Sequence, residues 1–241
     1  MDYRAWETPL LLLSERYRVI ALSLRHYYPE KWDGQGGTFT IQQHAADVIA
    51  FIEALRLTPV HLLGHLRGGN VALHVAKSQP SLLRTLILAE ASGLEILLPQ
   101  QGHGQSDVGR GPAMRRAVVE RLQAQDLDGA LNIYVDSASG PGAWVKLPEE
   151  RRQVMRDNAW TVVGDVGDRP QTTCDEGARM TMPVLLLSGE VSPPRFGQML
   201  DLFQHCVKTK ERLIIPGASH GMFLTHPQDS SRAVLSFLAK H

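Results

Sequence analysis

The segment from residue 59 to residue 77 constrains the fold more than any other part of the chain. The apolar run 59–63 leads into Gly64-His65-Leu66-Arg67-Gly68-Gly69, and a helix-like stretch over 71–77 follows. A buried strand, a sharp glycine-rich turn and a helix, in this order, form the setting in which a Gly-x-Ser-x-Gly motif presents a nucleophilic serine. Leu66 stands at the serine position, and its side chain has no oxygen or sulfur with which to attack a carbonyl. The pattern therefore predicts the turn without its usual nucleophile.

Short apolar segments alternate with longer amphipathic ones along most of the chain. This alternation predicts an α/β fold with a mostly parallel sheet and helices on both of its faces. The predicted strands cover 18–24, 60–63, 85–89, 184–188 and 212–215. The predicted helices cover 3–13, 41–56, 68–79, 195–206 and 228–240.

The middle of the chain has a different pattern. Helical periodicity is visible near 112–125, 127–137 and 148–159, and no segment there is convincing as a strand. We therefore predict that 94–178 is a helical cap insertion over the strand ends, between core segments 1–93 and 179–241.

Composition excludes several classes of function. The chain has 25 basic and 25 acidic residues and a formal net charge of +0, which gives no electrostatic footprint for nucleic acid. No apolar stretch reaches the roughly 20 residues needed to span a bilayer, and no secretory signal region follows the first residues. Cys174 and Cys206 match no metal spacing and are predicted to be free thiols in a reducing compartment. We expect a cytoplasmic protein that acts on a small molecule, without a cofactor or a metal.

Several features together resemble the α/β-hydrolase superfamily over essentially the whole chain. They are the turn at Leu66, the order of the strands, the inserted cap and Ser219-His220-Gly221 after the last strand. Small cap-bearing members of the family also have a segment similar to Gly189-Glu190-Val191-Ser192-Pro193 after a late strand. The resemblance implies the chain order nucleophile, acid, histidine, and it implies serine as the ancestral residue at position 66.

The resemblance and the residue chemistry together give a candidate site. His220 is the expected general base, and a carboxylate is needed to fix its tautomer and orientation. Glu90 follows the strand after the turn and is the expected acid, because the alternative family position falls on the uncharged Ser192. Glu190 is the second choice. The backbone N–H of Arg67 is the expected oxyanion donor, and His65 is expected to shape the pocket floor.

The chain departs from the family pattern at its beginning as well as at Leu66. The strand and His-Gly loop that the family places before the first helix are absent, which suggests a shortened gene product or a misassigned start. The sheet is then expected to lack its first strands and to have an open edge beside 18–24. Such an edge favours self-association.

Three interpretations of function follow. The first is a protein of esterase-like (carboxylic ester hydrolase) ancestry that is inactive or weakly active because Leu66 replaces the nucleophile. The second is an enzyme of the lyase or cofactor-independent oxygenase type that uses His220 and Glu90 as a base dyad. The third is a module that binds a small apolar ligand, with Leu66 in the wall of its pocket.

Overall fold

The computed structural model describes residues 2–99 and 112–241 and divides the chain into two compact units. The first, which we call the sheet unit, contains Trp6–Ala21, Thr40–Leu98 and Arg169–His241. The second, the helical unit, contains Met1–Ala5, Leu22–Phe39 and Pro99–Asp168. These bounds differ from the predicted insertion at 94–178, because two N-terminal segments group with the helices, and because 94–98 and 169–178 group with the sheet unit. Residues 100–111 of that insertion lie outside the described residues, and its role as a cap stays a prediction.

Four parallel strands in the order β1-β2-β3-β4 form the sheet. They are β1 (Val60–His65), β2 (Leu83–Ala89), β3 (Val184–Gly189) and β4 (Lys210–Ile215). β2 and β3 are almost entirely buried and contain the apolar runs 86–89 and 184–187, as expected for the centre of a parallel sheet. The parallel sheet flanked by helices that the sequence predicted is confirmed.

Seven α-helices of the sheet unit are described. They are α1 (Glu7–Ser14), α2 (Ile41–Ala54), α3 (Arg67–Ser78), α9 (Cys174–Ala178), α10 (Pro194–Phe203), α11 (Met222–Thr225) and α12 (Pro227–Leu238). The apolar side chains Ile41, Val48 and Ile52 of α2 are buried, and the Thr40 side chain caps this helix by accepting a hydrogen bond from the Gln43 N–H at 3.1 Å. Buried side chains of α1, α12, β2 and β3 share one core cluster.

The helical unit contains the remaining helices described. They are α4 (Pro112–Gln123), α5 (Leu127–Ser139), α6 (Ala143–Lys146), α7 (Glu149–Arg156) and α8 (Thr161–Gly167). The unit has its own core, built around Val118, Leu122, Leu131 and Trp144. Across both units, no described helix is long and apolar enough to cross a membrane.

The predicted strand at 18–24 is wrong. These residues form no helix or strand, although the side chain of Val19 packs against the core cluster of the sheet unit. A strand must be hydrogen-bonded to a neighbouring strand. In the described sheet β1 lies at the edge and pairs only with β2, so 18–24 is not hydrogen-bonded to it as a strand. The apolar pattern therefore reflects packing without sheet pairing. Self-association through an open sheet edge stays a prediction.

The prediction of free thiols is also wrong. Cys174, in the first turn of α9, forms a disulfide with Cys206, just beyond the end of α10. The separation of 32 residues gave no sign that the two side chains meet in the sheet unit. The argument from free cysteines for a reducing compartment therefore has no basis in the structure.

Removing this disulfide is expected to destabilise the sheet unit. Closing a loop with a sequence separation of 32 residues restricts the unfolded chain. In the chain-entropy model, a loop of this size adds about 3–4 kcal/mol to the free energy of unfolding. The double variant Cys174→Ser/Cys206→Ser should show this loss in urea denaturation, and the native chain should approach it in the presence of a reductant. Equal unfolding midpoints for the oxidised native chain and the variant would contradict the prediction.

Candidate active site

The sheet register brings the candidate residues to one edge. His65 is paired with Ala89 and Ala89 with Leu187, so β1 and β2 end together, and β3 and β4 end together two residues further along, where Gly189 is paired with Ile215. Leu66, Glu90 and the loop after β4 that carries His220 directly follow these strand ends. In open parallel sheets, the carboxyl ends of the strands are where ligands bind.

Leu66 occupies the tip of a strained turn between β1 and α3. Its backbone has φ 49° and ψ −113°, which lies in the left-handed half of conformational space and costs about 1–3 kcal/mol for a residue other than glycine. Hydrogen bonds hold it there. The Leu66 N–H donates to the Ala89 carbonyl at 3.1 Å, and the Leu66 carbonyl accepts from the Ser92 N–H at 3.1 Å. The nucleophile turn is thus fully built around a side chain that cannot act as a nucleophile.

Two glycines make the sharpness of this turn sterically possible. A Cβ on Gly64 would lie 2.2 Å from the carbonyl oxygen of Gly68, and a Cβ on Gly69 would lie 2.5 Å from the Cβ of Ala91. Gly68 differs, because a Cβ there would meet no atom within 4 Å. Gly64 and Gly69 are therefore required by close packing, and Gly68 is not.

His220 and Glu90 form a buried pair. The Nδ1 atom of His220 lies 2.5 Å from Oε2 of Glu90, and Oε1 of Glu90 accepts a hydrogen bond from the Gly189 N–H at 2.8 Å. Both residues are buried, Glu90 completely so. A carboxylate that accepts a hydrogen bond from Nδ1–H favours the tautomer in which Nε2 carries no proton. An unprotonated Nε2 that points away from the carboxylate is what a general base needs.

The charge state of Glu90 results from opposing effects. Burial raises its pKa, but the hydrogen bond and the charge of His220 act in the other direction, with smaller contributions from the Ser192 hydroxyl and the Gly189 N–H. The net result is a pKa below the ordinary value for glutamate. Glu90 is therefore ionised at neutral pH and can stabilise an imidazolium on His220.

Two rings contact the imidazole of His220. The ring of Phe196, in α10, stacks on it with a centroid distance of 4.4 Å and an angle of 14°, and the ring of His65 lies at 4.5 Å. Burial, with a further effect from His220, lowers the pKa of His65 to about 3. His65 is consequently neutral over the physiological range. Phe196 carries no reactive group, and no motif in the sequence indicated its contact with His220.

The structure places the other predicted residues as follows. The Glu190 carboxylate is exposed and accepts a hydrogen bond from the Gly217 N–H at 2.7 Å, so it is engaged outside the His220–Glu90 pair. Arg67 is the first residue of α3, at the helix end where backbone N–H groups favour negative charge. Its guanidinium is buried, with Nη2 3.4 Å from Nδ1 of His44.

Comparison with known proteins finds several similar sequences. A protein of Haemophilus influenzae whose name assigns it to the esterase/lipase class is 33% identical over 115 residues, which cover 46% of this chain and 36% of that protein. The chain thus spans about a third of the length of that relative. The non-heme chloroperoxidase of Streptomyces lividans is 26% identical over 256 residues, covering 97% of this chain and 86% of that protein.

A solved structure shows the fold that this chain shares, and a family model shows its family. An esterase from Thermogutta terrifontis superposes with a TM-score of 0.77 at 20% identity, over 100% of this chain and 86% of that one, which shows a shared fold. The model of the alpha/beta hydrolase family matches residues 1–233. The chain therefore belongs to the α/β-hydrolase family.

Proposed function

We propose that this chain is a carboxylic ester hydrolase by lineage that retains the general-base pair and has lost the covalent nucleophile. The observation that carries the proposal is the His220–Glu90 pair, with 2.5 Å between Nδ1 and Oε2, assembled beside a complete turn that presents Leu66. In this account the chain is inactive or only weakly active on esters as it stands. The esterase names among its relatives support the substrate class.

The chemistry available without a nucleophile is limited to general-base catalysis. In a serine hydrolase, the hydroxyl transfers its proton to the histidine as its oxygen attacks the carbonyl carbon. Leu66 cannot take that step, so any hydrolysis must use water. His220 would accept a proton from that water, the hydroxide oxygen would add to the ester carbon, and the alkoxide would leave with the proton returned by His220. The Arg67 N–H would face the oxyanion.

The proposal is tested by looking for the covalent intermediate directly. The native chain and the Leu66→Ser variant are incubated with p-nitrophenyl acetate, quenched in acid and examined by mass spectrometry. We expect an acetyl group on residue 66 of the variant and none at that position in the native chain. An acetylated side chain elsewhere in the native chain that turns over would refute the proposal, because the protein would then have a nucleophile of its own.

A second candidate is proton abstraction from carbon. It is favoured by the completeness of the His220–Glu90 pair, since a base and its orienting carboxylate are all that such a reaction needs from side chains. Exchange of a substrate C–H for deuterium in D₂O, lost in His220→Ala, would identify it. A small apolar ligand that raises the melting temperature without turnover would instead favour the binding module.

A further inference from the structure

We propose that Phe196 is a positioning residue for His220, and that its ring holds the imidazole in one plane and favours the protonated form of that imidazole. The two rings are nearly parallel, with an interplanar angle of 14° and 4.4 Å between their centroids. Phe196 is buried, with 2% of its surface exposed. The inference rests on the proposed function, because it gives Phe196 a part in the proton transfer that His220 performs.

The hydrogen bond to Glu90 does not by itself fix the plane of the imidazole. The bond joins Nδ1 of His220 to Oε2 of Glu90, and it leaves the ring free to turn about that line. The ring of His65 also contacts the imidazole, but it is tilted by 42° and offers no parallel face. The parallel face of Phe196 supplies the second constraint. The direction in which Nε2 of His220 points toward a reacting hydroxyl or water therefore depends on Phe196.

Phe196 is itself held in place by the two ends of α10. The helix begins with Pro194, whose ring fixes φ in the first turn, and just beyond its last residue it is joined to α9 by the disulfide. The connection from β3 into this helix starts at Gly189, whose N–H donates a hydrogen bond to Oε1 of Glu90. The stretch 189–196 therefore supports both the carboxylate and the imidazole of the pair.

The face of a phenyl ring favours the charged form of an imidazole stacked on it. The quadrupole of the ring places negative charge above its face, so a cation is attracted there more strongly than a neutral ring. His220 becomes a cation when it accepts a proton as general base. The contact with Phe196 is therefore stronger in the transition state than in the resting protein, which is the condition under which a contact increases the rate.

Ionisable groups on three neighbouring elements act on the same imidazole. Glu90, after β2, favours the protonated ring, whereas His65, at the end of β1, is neutral over the physiological range. Arg195 acts from α10 through Phe196, because its guanidinium carbon lies 4.6 Å from the centroid of the phenyl ring. Phe196 therefore adds to the effect of Glu90 and is opposed by the cation of Arg195.

The test is an NMR titration of His220 in the ¹⁵N-histidine-labelled native chain, Phe196→Leu, Phe196→Tyr and Phe203→Leu, with His220→Ala to assign the signal. Loss of the ring should lower the pKa of His220 by about 0.4–1.5, which is the usual range of cation–π energies expressed as a pKa change. Phe196→Tyr keeps an aromatic face and should keep the native pKa. Phe203 is the matched control, because it is a buried phenylalanine of the same helix that packs against Gly177 of α9, and Phe203→Leu should leave the pKa unchanged.

An unchanged pKa in Phe196→Leu, or an equal fall in Phe203→Leu, would overturn the inference, because the ring of Phe196 would then contribute packing alone. If Phe196→Leu fails to fold in a thermal melt, Phe196→Met, which keeps nearly the same volume without a ring, is titrated in its place and should show the same fall. In the Leu66→Ser background, Phe196→Leu should lower kcat for p-nitrophenyl acetate by about 3–30-fold with KM nearly unchanged. The titration uses no ester, so its failure is distinguishable from failure of the proposed function.

Discussion

The Leu66→Ser variant is expected to hydrolyse short p-nitrophenyl esters on the order of 10³-fold faster than the native chain. In a serine hydrolase, the nucleophile and its base together contribute about 10⁶ to kcat. The Arg67 N–H is the one oxyanion donor proposed here, and lacking a second donor lowers the rate by about 10²–10³. The histidine and carboxylate that would act on the introduced serine are already in place, with 2.5 Å between Nδ1 of His220 and Oε2 of Glu90.

Two controls accompany this measurement. Leu66→Ala removes the leucine without adding a hydroxyl, so any gain in that variant would come from access to the site alone. Leu66→Ser/His220→Ala keeps the serine and removes the base, and its activity should return to the level of the native chain. If Leu66→Ser folds and hydrolyses no short ester above background, the proposed lineage loses its main support.

The second large effect is expected at the glycines of the turn. Gly64→Ala places a methyl group 2.2 Å from the Gly68 carbonyl oxygen. The backbone at residue 64 and the backbone at Gly68 cannot move apart without displacing the start of α3. Overpacking typically costs about 1–3 kcal/mol in the free energy of unfolding and occasionally more. We expect Gly64→Ala to show this loss in chemical denaturation or to fail to accumulate as folded protein.

Gly68→Ala is the matched control for that variant. Its Cβ would meet no atom within 4 Å, and alanine favours helix over glycine by up to about 1 kcal/mol. Its stability should be unchanged or slightly higher. A Gly64→Ala variant as stable as Gly68→Ala would mean that the turn is not packed as described.

The sheet was predictable because its central strands carry strong local signals. β2 and β3 contain the apolar runs 86–89 and 184–187, and the predicted strands fall within their observed bounds. The segment 18–24 has a similar apolar pattern but forms no strand. Local sequence indicates which side chains are buried, and it does not reveal whether a neighbouring strand is available for pairing.

The candidate site was predictable only where chemistry restricts the choice of residue. Glu90 was selected because Ser192 cannot carry a charge, and the structure places the Glu90 carboxylate on His220. Phe196 is an ordinary apolar residue of α10, and its stacking on His220 arises from tertiary packing. The disulfide between Cys174 and Cys206 was missed for the same reason, since α9 and the end of α10 meet only in the folded chain.

The central claim is that His220 and Glu90 are a competent pair that lacks only a nucleophile. The most direct test compares Glu90→Gln with Glu190→Gln, each in the Leu66→Ser background, by kcat/KM for p-nitrophenyl acetate across pH. Glu90→Gln should abolish most of the gained activity, because His220 loses its orienting carboxylate, whereas Glu190, bonded to the Gly217 N–H, should be replaceable without loss. Equal activity of the two variants, or a greater loss in Glu190→Gln, would contradict the account.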